Sequence, residues 1–259
     1  MSYFITGTDT GVGKTLVSCA LLHAFAAQGR RAVGFKPVAA GCDEDDHNDD
    51  AKRLRAASNV QATYGQINPY CFPHPIAPHL AARHAGVRVE FSRILASYRE
   101  LSTLADEVIV EGVGGFCVPL NENQDSADLA QELGLPVIVV VGMRLGCLNH
   151  TLLTLRAIAD YQLECAAWVV NVLDVDGTTR RCEASGAGVP SDRLLPQTAG
   201  YASNVSKAGM PALQENIAAL RERISAPLLG IIPYQLQPDM MVTAAHLDIG
   251  LLEKRKNDA

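Results

Sequence analysis

Six short apolar runs, at residues 3–5, 32–35, 108–110, 137–141, 166–170 and 228–232, punctuate the chain, and within each the apolar positions are near-continuous instead of alternating. A half-solvated strand would alternate, so continuous runs of this length suit strands buried on both faces of a parallel sheet. Between the runs the period becomes helical. From Lys14 to Gln28, Val17, Leu21, Ala24 and Phe25 fall on one face and Gly29 supplies a stop, which predicts an amphipathic helix. From Asn149 to Tyr161, Leu152, Leu155 and Ile158 share a side. Strands alternating with helices predict one α/β domain over 1–259, with a mostly parallel, doubly wound sheet, right-handed crossovers and ligands beyond the carboxyl ends of the strands. Residues 177–209 break the rhythm. They are rich in Gly, Ser, Thr and Arg without a sustained apolar period and read as a surface insertion.

Composition narrows the function classes. The 259 residues are 48% hydrophobic and 19% charged, enough to bury a sizeable core. A net charge of -6 argues against nucleic acid or an anionic membrane as partner and leaves small-molecule chemistry. No stretch approaches the roughly 20 apolar residues of a membrane span, and the N-terminus lacks a signal-peptide layout, so a cytoplasmic location is expected. The seven cysteines are scattered and never spaced C-x-x-C, so all are expected to be reduced thiols. Cys71-x-x-His74 finds no second ligand pair and is not expected to hold zinc. The acidic run "DEDDHNDD" at 43–50 reads as a solvated loop.

Candidate chemistry begins at "GTDTGVGKT", residues 7–15. A strand ends just before it, three glycines fall within seven positions, and a helix starts at Lys14. Such glycines let successive N–H groups converge on one anion, the helix N-terminus adds its positive end, Lys14 neutralises β/γ oxygens, and the Thr15 hydroxyl can hold Mg²⁺. The glycine of the usual G-x-x-x-x-G-K-[ST] pattern is displaced, with Thr8 at its position, although strand, loop and helix stand where a phosphate-binding loop needs them. A second acid on the metal side is expected at the end of another strand. Glu111 in "DEVIVEGVGG" fits, and Asp50 is the other candidate, because Mg²⁺ needs only one or two carboxylates besides Thr15 and phosphate oxygens. Lys36 in "FKPVAAG" ends the second strand and points toward the loop, with Pro37 enforcing an extended exit. "RLGCLNHTLLTL" at 144–155 is a second possible anion site at a helix start, in which His150 reads as a capping or packing residue.

The ordered set "GTDTGVGKT", "KPVAAG", "NDDA", "VEGVGG", "LGCLNHTLLT", "VVNVLD" and "IPY" resembles the dethiobiotin synthetases and covers nearly the whole chain. The first two with the helix-start motif are the specific part; "EGVGG" and "IPY" are weak by themselves. The resemblance implies a P-loop NTPase-like domain that is an ATP- and Mg²⁺-dependent ligase of biotin biosynthesis. It would carboxylate 7,8-diaminononanoate (diaminopelargonate) with CO₂ and close the ring to dethiobiotin, releasing ADP and phosphate. It further implies that Gly11, Val12, Gly13, Lys14 and Thr15 bind the phosphates, Asn171 and the backbone near Pro233 bind adenine, and Thr15, Asp50 and Glu111 hold the metal. Thr10, Lys36 and Ala40 would face the diamine or its carbamate, with Lys14, Lys36 and Thr10 catalytic. Gly146, Cys147, Leu148 and Asn149 would grip the substrate carboxylate across the interface of a homodimer. Two departures stand out: Ala40 occupies a position where many relatives carry serine, and Gly11 one where some carry glutamate. Rival readings are a partition-type ATPase switch, whose loop carries lysine where Asp9 stands, a cobyrinate-type amide synthetase, and an inactive paralogue disabled by the insertion.

Overall fold

A computed structural model describes residues 2–173 and 210–257, so the insertion reading for 177–209 lies outside the described residues. The strands are β1 (Ser2–Gly7), β2 (Ala32–Phe35), β3 (Val38–Ala40), β4 (Tyr70–Phe72), β5 (Glu107–Glu111), β6 (Val137–Met143), β7 (Cys165–Val172) and β8 (Leu228–Ile232). The helices are α1 (Lys14–Ala27), α2 (Asp49–Ala57), α3 (Tyr64–Ile67), α4 (Pro78–His84), α5 (Phe91–Leu104), α6 (Ser126–Leu133), α7 (Cys147–Asp160), α8 (Leu213–Arg221), α9 (Met240–Ala244) and α10 (Gly250–Asn257). All six apolar runs are strands, extended by up to two residues at an end.

The main sheet has the order β2-β5-β1-β6-β7-β8, with every neighbouring pair parallel. Successive residues of a strand point to opposite faces, and both faces are covered. Phe4, Val108, Val110, Val137, Val139, Val141, Trp168 and Val170 enter one core. Tyr3, Ile5, Ile109, Ile138, Val140, Ala167 and Val169 enter the other, with α1 and part of α2. Two covered faces are the reason the runs are continuous.

Helix α1 corrects the amphipathic reading. Besides Val17, Leu21 and Phe25 it buries Ser18, Cys19, Ala20 and Leu22, while Ala24 is only partly buried. It lies on the sheet and also packs against α2 and α9, so little of its outer face meets water. In α7 the common side is real but shallow: Ile158 is buried, Leu152 and Leu155 partly so.

The small sheet of β3 and β4 was not foreseen, since strands of three residues carry little periodicity. Its parallel register sets Ala39 beside Cys71 and Ala40 beside Phe72. This overturns the expectation that every cysteine is a free thiol, because Cys42 and Cys71 are joined in a disulfide, with Cα atoms 6.1 Å apart. The physical reason is non-local pairing: two residues 29 apart in sequence are brought within disulfide reach by strand register. Cys19, Cys117, Cys147 and Cys165 are free.

Candidate active site

Parallel pairing puts the carboxyl ends of β2, β5, β1, β6, β7 and β8 along one edge of the sheet. Phe35 pairs with Val110 and Ile5 with Glu111, so Lys36 and Glu111 leave neighbouring strands beside the loop that follows β1. On the other side Asn171 pairs with both Gly142 and Ile232, which sets Pro233 next to the Asn171 position.

The 7–15 loop is held from below by Val12. Its side chain is fully buried, and a Cβ at Gly7 would stand 2.6 Å from Val12 Cγ2 while one at Gly142 would stand 2.7 Å from Cγ1. Glycine at both positions therefore lets Val12 wedge between two strand ends. The Val12 carbonyl accepts from Asn171 Nδ2 at 2.9 Å, linking the end of β7 to the 7–15 loop. Gly11 and Gly13 have φ of 73° and 93°, the left-handed region that glycine enters without steric cost, and Gly13 caps α1. Thr10 and Gly11 are exposed at the loop crest. Lys14 is buried and donates to the Gly114 carbonyl at 2.6 Å and the Asp9 carbonyl at 3.1 Å. Burial, with the Lys36 charge adding to it, lowers its pKa to about 8 against the pull of the nearby carboxylates.

Four of the expected residues meet at one point. Thr15 Oγ1 lies 2.9 Å from Asp50 Oδ1 and 3.0 Å from Glu111 Oε1. Lys36 Nζ donates to Glu111 Oε1 at 2.6 Å and the Gly112 carbonyl at 3.1 Å, and lies 3.2 Å from Asp50 Oδ2. Lys36 is only 3% exposed. Burial opposes its charge, yet Glu111 and Asp50 outweigh it and raise its pKa above the ordinary lysine value. For Asp50 the burial penalty is overcome by Lys36 and the Thr15 hydrogen bond, which lower its pKa to about 2. The cluster thus sets one lysine, Lys36, against two carboxyl groups, Asp50 and Glu111.

Asp50 owes its place to a local signal. Asn48 caps α2, its side chain accepting from Asp50 N at 3.0 Å, so the end of the acidic run is the first turn of a helix while 43–46 is exposed. Sequence reasoning missed the ion pair between Asp9 and Arg144, which ties the phosphate loop to the segment before α7. It also missed Asn68, whose side chain donates to the Lys36 carbonyl at 2.6 Å. The Asn48 cap could have been read from "NDDA"; the other two contacts join distant segments and leave no local mark.

The remaining expected residues stand at the rim. Ala40 ends β3, partly buried, with its carbonyl 3.4 Å from Asn48 Nδ2. Gly146, with φ 95°, caps α7, whose first residues Cys147, Leu148 and Asn149 are buried, partly buried and exposed in turn. This turn, expected at the substrate carboxylate, follows β6, three strands along the sheet from β2, which Lys36 follows. His150 is exposed on α7 and neither caps nor packs: the cap of α7 is Gly146, with no side-chain hydrogen bond, and the buried side of this turn is held by Cys147 and Thr151. His74 meets His84 edge to face, and no group of three His, Cys, Asp or Glu suited to a metal occurs among the described residues.

A family profile described as "AAA domain" matches residues 1–241. The chain is 46% identical over 247 residues to the ATP-dependent dethiobiotin synthetase BioD of Nitrosospira multiformis, covering 95% of this chain and 94% of the relative. This chain belongs to the dethiobiotin synthetase family. The corresponding protein of Aromatoleum aromaticum is 45% identical, with 95% and 96% covered. Among solved structures, the MinD cell division protein of Aquifex aeolicus matches with a TM-score of 0.50 at 12% identity, covering 100% of this chain and 97% of that one. That likeness is one of fold alone. Asp9, where the rival partition-type reading expects a lysine, is a carboxylate paired with Arg144.

Proposed function

We propose that this dethiobiotin synthetase acts through the cluster of Lys14, Thr15, Lys36, Asp50 and Glu111, using ATP, CO₂ and 7,8-diaminononanoate to make dethiobiotin, ADP and phosphate. The observation that carries the assignment of residues is their convergence at the carboxyl edge of the sheet. One amine of the diamine captures CO₂ as a carbamate. A carbamate oxygen then attacks the γ-phosphate, and the second amine closes the urea ring and expels phosphate. Every step gathers anions, so positioning and charge compensation supply most of the acceleration. Lys36 holds the carbamate oxygens and Thr10 orients it from the loop crest. Lys14 leaves its carbonyl partners for the β/γ oxygens, and Gly11–Gly13 present backbone N–H groups to the phosphates. Asn171 and the Pro233 backbone receive adenine. At Ala40 a water or neighbouring backbone group takes the place of the family hydroxyl.

The residues fit Mg²⁺. Thr15, Asp50 and Glu111 offer only oxygen donors, and Glu111 Oε2 is buried with no hydrogen-bond partner among the described residues. When bound, the cation neutralises charge on the phosphate oxygens.

A homodimer completes the site. Leu145 and Leu153 are 93% and 54% exposed beside the Gly146–Asn149 turn, an apolar face suited to a second copy that would lend its turn to the substrate carboxylate. Leu145→Asp should shift the sedimenting species to a monomer and lose turnover; a wild-type monomer at full speed contradicts the arrangement. No helix among the described residues is long and apolar enough to cross a membrane; a cytoplasmic place of work is part of the same proposal. The test of the reaction is phosphate release measured with each component omitted. It should require the diamine and bicarbonate jointly, and release indifferent to the diamine refutes the reading.

A further inference from the structure

We propose that Cys42 and Cys71 form a reversible redox-modification site whose state sets how firmly Asp50 is held: the disulfide gives the tight form, the dithiol the loose one. The consequence for the metal rests on the role proposed above for Asp50. The link joins the segment after β3 to the middle of β4, 29 residues on, and so closes the stretch of chain that contains α2 and Asp50.

Two hydrogen-bond chains run from the link to the site. On the Cys42 side, Asn48 Nδ2 donates to the Gly41 carbonyl at 3.2 Å, and Asn48 Oδ1 accepts from Asp50 N at 3.0 Å. On the Cys71 side, Asn68 Nδ2 donates to the Tyr70 carbonyl at 3.0 Å and the Lys36 carbonyl at 2.6 Å. Tyr64 joins the two, its hydroxyl accepting from Asn48 N at 2.6 Å and donating to Asn68 Oδ1 at 3.2 Å. The disulfide thus stands where the supports of Asp50 and of Lys36 meet. Breaking it leaves the bonds from Gly41 N and Cys42 N to the Phe72 carbonyl, 2.8 and 3.1 Å, so β3 and β4 stay paired. The exposed acidic residues 43–46 and the Asn48 cap gain freedom, since a cross-link acts by restricting the chain it closes.

Both cysteines are partly exposed, within reach of a small dithiol. A thiolate of the dithiol attacks one sulfur and expels the other cysteine as thiolate, which takes up a proton. The reagent's second thiol then displaces the mixed disulfide, leaving two cysteine thiols and one oxidised reagent. Oxidised glutathione runs the exchange in reverse, two glutathione thiols leaving as the link forms.

The full chain, oxidised with glutathione disulfide, reduced with dithiothreitol, or carrying Cys42→Ser, would be compared by two readouts. These are amide hydrogen exchange over residues 41–50 and the Mg²⁺ dependence of binding a non-hydrolysable ATP analogue. Reduced wild type and Cys42→Ser should both exchange faster and need at least about fivefold more Mg²⁺ for half-saturation, the lower end of typical coupling between linked sites. Reoxidation should restore the wild type only. The proposal is overturned if the oxidised chain yields no Cys42–Cys71 cross-linked peptide, if exchange is the same in both states, or if exchange changes while the Mg²⁺ requirement does not. Neither readout contains the diamine, so a chain that made no dethiobiotin would refute the reaction and leave this inference standing.

Discussion

Lys36→Ala should lower turnover by roughly 10²–10³-fold, the loss typical of removing one preorganised partner of a developing anion, while ATP binding remains measurable. The reason lies in what Lys36 touches. Its ammonium is the cation between Glu111 and Asp50, held within 3.2 Å of both, and its carbonyl is fixed by Asn68. In the proposed arrangement the phosphates have Lys14 and Thr15 in the first turn of α1 and the backbone of the loop after β1, so nucleotide contacts should outlast the change. Breaking a buried pair by removing one partner costs about 3–5 kcal/mol when both charges are enclosed. Here Asp50 is partly exposed and takes a smaller share. The variant should therefore melt lower without Mg²⁺ and recover much of the loss with it. Steady-state rates, calorimetric ATP titration and melting with and without Mg²⁺ would check each part; full turnover in Lys36→Ala would remove the residue from the chemistry.

Glu111→Gln should raise the Mg²⁺ concentration needed for half-saturation by at least about 100-fold, the upper range found when merely a supporting partner of a ligand is lost. Glu111 Oε1 accepts from both Thr15 and Lys36, and a glutamine oxygen at that place can keep both hydrogen bonds. What disappears is the charge and the free Oε2, the two properties a hard cation needs. The fold should survive, since the substitution conserves volume at a buried position. Titrating Mg²⁺ against ATP-analogue binding separates this outcome from misfolding, which circular dichroism would report. Unchanged Mg²⁺ dependence would take Glu111 out of the metal site.

Much of this was legible in the sequence for a physical reason. Strands buried on both faces must be apolar throughout, so β1, β2, β5, β6, β7 and β8 announced themselves, and a phosphate loop is contiguous, so strand, glycines, Lys14 and Thr15 could be read together. Lys36 and Glu111 were found because a parallel sheet delivers its strand ends to one edge. Contacts set by register were not legible. Cys42 and Cys71 lie in segments whose pairing no local pattern marks, and neither Asp9 nor Arg144 signals the other. Helix α1 looked one-sided because periodicity records its sheet face but not the later elements, α2 and α9, that cover its back. His150 misled for the opposite reason: a motif that marks a helix start says nothing of which way each side chain turns.

The central claim is that carbamate and ATP react within one cluster, Lys14, Lys36, Asp50 and Glu111, with the carbamate oxygen as nucleophile. It is tested most directly by running the reaction with ¹⁸O-labelled CO₂, quenching before the label exchanges with water, and weighing the released phosphate. One oxygen of the phosphate should carry the label, because the oxygen that attacks phosphorus leaves with it when the ring closes. Phosphate that contains none of the label, formed while dethiobiotin accumulates, would contradict the account.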